Sequence, residues 1–191
     1  MNAAKDILDK AKWGQLTGAE VNALGLALSD PNEPDLYTVI HAIGKAELKQ
    51  YKEKLESFLD YPREPLISAI TVKVLCGFWE LTDQYIDVIL KFIQGVEWDE
   101  DEDVKLESLN VIGNYLINNK VPHIIQLILE TFENEDNFNA VRSAAYISLG
   151  RAFGKTWHEL PLASKPMNFD TDVDFSVINQ ARAIVCSQRG I

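Results

Sequence analysis

The chain has 191 residues, of which 47% are hydrophobic, enough for a folded domain with a substantial core and too many for a disordered tail. The 29 acidic residues outnumber the 18 basic ones, and the formal net charge is −11. Because phosphate recognition needs clustered lysine and arginine, this balance speaks against nucleic-acid binding and favours a basic protein partner.

The sequence also bears on the compartment. No apolar run approaches the ~20 residues that cross a bilayer, so no membrane association is expected. The first residues, Met1–Asp6, lack the basic and apolar blocks of a signal peptide. Cys76 and Cys186 both lie in apolar helical contexts, which favours buried thiols over a disulfide. Together these features predict a cytoplasmic protein.

The N-terminal region predicts two helices. Residues 4–12 form a short amphipathic stretch. Thr17 precedes Glu20 by three residues, which is the capping-box spacing, so a second helix is expected to begin there and to end before Pro31. We interpret residues 1–31 as a helical cap on the rest of the chain.

From residue 32 to residue 154 the apolar periodicity predicts paired helices. The stretch 66–81 is rich in β-branched residues that could form a strand, but its length and flanks favour a buried helix, with Pro65 in the first turn. In chain order the predicted helices cover residues 36–46, 47–59, 66–81, 82–93, 104–118 and 122–132, followed by one that begins at Asn139.

A pattern recurs in the first helix of each pair. Each copy ends on a small residue, and successive copies are spaced by 32, 37 and 37 residues at Gly44, Cys76, Gly113 and Gly150. A period near this length is typical of arrays of helical hairpins. A small residue in mid-helix forfeits packing area, which makes sense where a neighbouring helix crosses closely.

Apolar residues precede each small residue at the offsets 0, +5 and +8, which share one helical face. These positions hold Ile67, Val72 and Leu75, then Val104, Leu109 and Ile112, then Val141, Tyr146 and Leu149. The first copy fits least well, because Asp35 occupies the position of Val104 and Val141.

The best copy, Val141–Arg142 with Ala144–Ala145 and Leu149–Gly150, resembles the first helix of HEAT-type repeats. Val104–Lys105 with Ile112–Gly113 is the next best match. The resemblance covers about Glu33 to Gly154. It implies an all-α fold, a HEAT-like α-solenoid of about four hairpins.

On this interpretation one helical-array domain fills residues 1–191, with repeats over 32–154 and a second cap over 155–191. The second cap begins with an irregular passage around Trp157 and Pro161 and ends in a helix over 175–186.

One acidic passage begins like a calcium loop. Asp170, Asp172 and Asp174 occupy the first, third and fifth positions, but Phe175 and Ala181 stand where that loop needs Gly and Glu. Carboxylates at a positive helix end are the favoured alternative. The three histidines and two cysteines lack the spacing of zinc ligands, so no metal site is predicted.

The chain contains no nucleophile elbow, phosphate-cradling glycine loop or zinc-protease helix. His41 lies in an apolar helix, where a satisfied core histidine is the ordinary interpretation, and His123 follows Pro122 at a helix start. We therefore predict no enzymatic activity, no cofactor and no small-molecule substrate.

The most unusual passage is Gly95–Asp103, in which six carboxylates surround Trp98. One interpretation is a solvated turn, with Asp101 or Asp103 capping the next helix and Trp98 packed on the preceding one. The other is a recognition surface for a basic partner, anchored by Trp98, because carboxylates crowded without local lysines repel one another. The candidate partner-binding residues are Asp83, Asp87, Glu97, Trp98, Asp99, Glu100, Asp101, Glu102 and Asp103.

The small size, acidity and helical-array pattern make the chain similar to compact HEAT-like immunity proteins that bacteria pair with delivered toxins. That resemblance implies a non-catalytic protein that neutralises a toxin domain, often a basic nuclease, by covering its active site. Two alternatives remain: a housekeeping adaptor or scaffold that presents its concave face to a partner, and an enzyme-associated, lyase-like HEAT module.

Overall fold

The computed structural model describes residues 3–162 and 165–188. Within these residues every regular element is helical and none is a strand, which confirms the all-α class. Compact packing divides the chain into two units, one ending at Gln84 and the other beginning at Tyr85. The organisation as one array with two caps stays a prediction, and residues 1–2, 163–164 and 189–191 of those caps lie outside the described residues.

In the first unit three helices pack on a shared neighbour, α3. The helices up to the unit boundary are α1 (Ala3–Lys12), α2 (Gly18–Ala27), α3 (Leu36–Lys45), α4 (Lys52–Glu56) and α5 (Pro65–Val72). A π-helical turn, Lys73–Phe78, continues α5, and α6 (Thr82–Gln94) contains the boundary between the units. Helices α1, α2 and α5 all contact α3. The passage with β-branched residues is helical, as predicted, but it ends at Phe78 and not at the predicted residue 81. Glu80, with a φ of 57°, lies in the left-handed region and cannot continue the helix.

The predicted capping box is present at the start of α2. The Thr17 hydroxyl accepts a hydrogen bond from the Glu20 N–H at 3.3 Å, and the Glu20 carboxylate accepts one from the Thr17 N–H at 2.8 Å. Two N–H groups that the helix leaves free are thus satisfied reciprocally.

The single helix predicted over 47–59 is wrong. Glu47 has a φ of 51°, in the left-handed region, and its N–H donates to the Gly44 carbonyl as α3 ends. A left-handed residue cannot continue a right-handed helix. The chain restarts as one 3₁₀ turn, Lys49–Tyr51, before the short helix α4.

The second unit consists of the C-terminal part of α6, α7 (Asp103–Asn118), α8 (Pro122–Glu133), α9 (Asn139–Ala152) and α10 (Phe175–Gln188). Helix α9 contacts α7 and α8, and α10 contacts α8 and α9. Lys105 near the start of α7 donates to Asn137 just before α9, at 2.9 Å. Farther along both helices, Arg151 donates to Asn114 at 3.4 Å. Helices α7 and α9 therefore lie side by side and point the same way.

The core positions predicted from the repeat are confirmed. All nine apolar residues at the offsets 0, +5 and +8 of the last three copies are at most 1% exposed. In the first copy Asp35 accepts a hydrogen bond from the Thr38 N–H at 3.2 Å, as the N-cap of α3. Asp35 breaks the pattern because the helix begins there, while Ile40 and Ile43 at the two later positions are fully buried.

Two of the small residues mark close helix crossings, as predicted. A Cβ added to Gly113 would lie 2.8 Å from the Ser148 Cα on α9. A Cβ added to Gly44 would meet the Val74 side chain. Val74 and Ser148 each stand two residues before the small position of the following copy, so both crossings have the same register. Gly150 differs, because it faces Leu160 in a loop.

Candidate functional site

The acidic passage between α6 and α7 folds as a turn around one buried carboxylate. Asp99 is 6% exposed and accepts hydrogen bonds from the Val104 N–H at 3.1 Å and the Lys105 N–H at 3.0 Å. It satisfies two N–H groups at the positive end of α7. The prediction that Asp101 or Asp103 caps this helix is wrong, because Asp99 accepts these bonds instead. A backbone hydrogen bond from the Glu102 N–H to the Asp99 carbonyl, at 3.1 Å, closes the turn that places Asp99 beneath the start of the helix.

Lys105, which was not among the predicted site residues, lies within the site. Its ammonium donates to Glu102 at 2.8 Å and to Asn137 at 2.9 Å, and the residue is buried. The expectation of carboxylates without a local lysine is therefore wrong. The Glu102–Lys105 spacing of three residues is an ordinary helical ion-pair spacing, and that signal could have revealed the pair.

Trp98 is half-buried against the preceding helix. Its ring meets that of Phe92 on α6 edge to face, with centroids 5.9 Å apart. This is the packing expected of the solvated-turn interpretation. The ring retains exposed surface, which leaves part of it accessible to a partner.

The remaining carboxylates of the passage face solvent to different degrees. Glu97, Glu100 and Asp101 are exposed, and within the described residues their carboxylates have no hydrogen bond or ion pair. Asp103 is half-buried, and burial raises its pKa above the usual range, with further contributions from Asp99 and Asp101. The passage therefore presents fewer free charges than its composition suggests.

Asp83 and Asp87 are both exposed on α6, four residues apart on one helical face. The unit boundary falls between them, with Asp83 in the first unit and Asp87 in the second. Their membership of the binding surface stays a prediction.

A second acidic turn lies beside the first. Asn137 accepts from Lys105 and donates to the Thr131 carbonyl at 2.9 Å, which brings the turn before α9 against the turn before α7. Glu135 and Asp136 in this turn are exposed, whereas Glu133 pairs with Arg182 at 2.6 Å. We call the exposed carboxylates of both turns, together with the half-buried Asp103, the acidic edge; its members are Glu97, Glu100, Asp101, Asp103, Glu135 and Asp136.

Two of the three carboxylates that begin like a calcium loop are engaged locally. Asp174 pairs with Lys155 at 2.7 Å, and the hydrogen bonds from Lys155 and Ser176 lower its pKa to about 2. Asp172 accepts from the Asn168 N–H at 2.9 Å. In the part of the chain that the structure describes, no group of three or more His, Cys, Asp or Glu side chains is placed to hold a metal ion.

None of the three histidines belongs to the acidic edge. His41 is half-buried and stacks on Phe78 with ring centroids 5.8 Å apart. Burial lowers the pKa of His41, and the charges of Lys45 and Lys73 lower it further. His123 and His158 are both exposed.

The two thiols are both free, but only one is buried. Burial raises the pKa of Cys76 to about 12. Cys186 is exposed on α10, so the prediction of a buried thiol is wrong at that position. Ile178 and Ala181 on the same helix are buried, but the last turn of α10, which holds Cys186, faces solvent.

Comparison of the chain with protein-family models, with curated proteins and with solved structures found no match. Among the described residues, no helix combines the length and the apolar character that a membrane crossing requires.

Proposed function

We propose that the chain is a non-catalytic protein-binding module and that its acidic edge binds a basic partner. The observation that carries this proposal is the convergence of two acidic turns at one end of the parallel helices α7 and α9. Lys105, the cation between the turns, is buried and already bonded to Glu102 and Asn137. The exposed carboxylates of Glu100, Asp101 and Asp136 therefore keep their charge available to a partner.

Electrostatics gives such a surface a kinetic advantage. Like charges gathered at one edge focus the field and accelerate capture of an oppositely charged protein. The positive ends of α7 and α9 offset part of the repulsion between the carboxylates, so the edge is tolerated in the free protein. A cationic partner relieves the remaining repulsion.

The architecture we propose for this module is a HEAT-like α-solenoid. In the second unit α7 packs beside α9 and α8 beside α10, which is the layering of stacked hairpins. The equivalent crossings at Gly44 and Gly113 support one repeating register in both units.

A narrower proposal is that the chain is a cytoplasmic immunity protein that neutralises a basic toxin domain, such as a nuclease. Its carboxylates would then occupy the cationic cleft in which the toxin holds phosphate. An immunity gene lies directly downstream of its toxin gene, whereas an adaptor gene needs no such neighbour.

The test is co-expression with the protein encoded immediately upstream in the source genome. We expect the upstream protein to arrest growth of the host and co-expression of this chain to restore growth. The two purified proteins should also form a complex whose affinity isothermal titration calorimetry measures. An upstream product that neither arrests growth nor binds would refute the immunity proposal.

Variants then locate the surface. Replacing Glu97 and Glu100 with Gln and Asp101 with Asn should weaken that complex by at least about tenfold without changing the melting temperature, since all three side chains are exposed. Trp98→Ala should also weaken binding, with some loss of stability because the ring packs on Phe92.

Matched control variants remove three carboxylate charges, or one tryptophan ring, from exposed positions outside the acidic edge. The charge control changes Asp9 and Asp170 to Asn and Glu53 to Gln, all of them exposed. The ring control is Trp13→Ala, at a residue that is 66% exposed. If the controls weaken binding as much as the test variants, the acidic edge is not the binding site.

A further inference from the structure

An open groove of about 480 Å³ lies between α7, α9 and the segment Lys165–Met167 in the second unit. Leu106, Ile147 and Met167 supply apolar walls, and Ala140 and Ala144 leave the space between them open. A cavity of this size with mostly apolar walls and a few polar groups is typical of a binding site.

The length of the groove along α9 matches the spacing of apolar anchors on a helix. Ala140, Ala144 and Ile147 follow one face of α9, and the seven residue steps from Ala140 to Ile147 rise about 10.5 Å at 1.5 Å per residue. Apolar anchors at i, i+3 or i+4 and i+7 on a partner helix cover the same distance.

The charge around the groove is one-sided. Leu106 follows Asp103 by three residues on α7, and Ala140 follows Asp136 by four at the start of α9. Because the two helices point the same way, the end of the groove near their starts adjoins the acidic edge. Phe138, which is 60% exposed, stands between Asp136 and the groove in the chain.

We propose that the groove and the acidic edge together bind an amphipathic helix of the partner protein. Its apolar side chains fill the groove, and lysines or arginines at one of its ends meet the carboxylates. This proposal rests on the proposed function and assigns the face of α7 and α9 that performs it. The cation Lys165, on the wall formed by Lys165–Met167, disfavours a uniformly basic helix and favours one with its charge at the acidic edge.

The probe is a fluorescent designed helical peptide with leucines at i, i+4 and i+7 and lysines and arginines at one end, followed by anisotropy. Two counterparts carry serine in place of the leucines or glutamate in place of the basic residues. We expect the first peptide to bind and both counterparts to bind at least about tenfold more weakly, since apolar anchors and charge both contribute.

Ala140→Leu fills the groove from an exposed position, and its control is Ala183→Leu at an exposed position on α10. Asp101→Asn with Asp136→Asn removes charge from both turns, and its control is Asp9→Asn with Glu53→Gln. Each test variant should weaken peptide binding at least about tenfold, and each control should leave it unchanged.

The outcomes separate the two proposals. Loss of binding in the charge variant with full binding in Ala140→Leu overturns the groove and leaves the acidic edge. The groove proposal is also overturned if the peptide does not bind, or if the glutamate counterpart binds equally well. The complex with the upstream protein tests the acidic edge independently of the peptide. Chemical-shift changes at Leu106, Asn110 and Ala144 on addition of peptide would support the groove directly.

Discussion

Asp99 has the clearest structural role of any carboxylate in the acidic passage. Its side chain is buried beneath α7 and accepts from two backbone N–H groups, while its neighbour Asp101 has an exposed carboxylate. Residue type and charge are the same, so only the contacts distinguish the two. This contrast separates a folding role from a binding role.

We predict that Asp99→Ala lowers the free energy of unfolding by about 1–2 kcal/mol, because it removes the acceptor at a helix start. Asp101→Ala, the matched control, should change it by less than about 0.5 kcal/mol, as is usual for exposed positions. Urea denaturation followed by circular dichroism measures both. Equal stability of the two variants would show that the hydrogen bonds that Asp99 accepts do not stabilise the start of α7.

Lys105 illustrates a limit of interpretation from sequence. The ion pair with Glu102 is local and could have been predicted from spacing, but the bond to Asn137 joins positions 32 residues apart. No local pattern contains that contact. It decides that the two acidic turns form one edge.

At the level of helices, local patterns predicted most boundaries. The capping box at Thr17, Pro65 in a first turn and Pro122 in another all begin helices in the structure. The failure over 47–59 arises at Glu47, a residue with no intrinsic preference for the left-handed region. The N–H groups of Glu47 and Leu48 donate to the carbonyls of Gly44 and Ile43, which closes the end of α3 with Glu47 in the left-handed region. The residue type at position 47 does not predict that closure.

The crossing of α7 and α9 can be tested at Gly113. We predict that Gly113→Ala lowers the free energy of unfolding by about 1–3 kcal/mol, because the new Cβ would overlap the backbone of Ser148, even though Ala favours helix by about 1 kcal/mol. Asn118→Ala, at an exposed position on the same helix, is the control and should be nearly neutral. Thermal denaturation measures both, and a Gly113→Ala variant as stable as the parent would contradict the close crossing.

For the whole molecule, the net charge of −11 bears on how a partner is captured. We predict that raising ionic strength from about 0.01 M to about 0.15 M slows association with the basic partner more than it speeds dissociation, because the Debye length falls from about 30 Å to about 8 Å. Stopped-flow fluorescence measures both rates.

The variant that neutralises Glu97, Glu100 and Asp101 is the matching control for the salt experiment. Its association rate should be slower at low salt and should respond less to added salt, since fewer charges remain at the edge. An association rate of the parent protein that does not depend on salt would contradict electrostatic capture.

Short-range information was sufficient for the helical class, for most helix starts and for the buried positions of the repeat. Those features follow from periodicity and capping chemistry within a few turns of chain, as Thr17 and Val141 show. The acidity of residues 97–103 was equally plain from composition.

Long-range packing decided which charges are free. It buried Asp99 and Lys105, left Asp101 and Asp136 exposed, and opened a groove between α7 and α9. The physical reason is that burial and hydrogen bonding depend on segments far apart in the chain, such as Lys105 and Asn137, which come together only when whole helices pack.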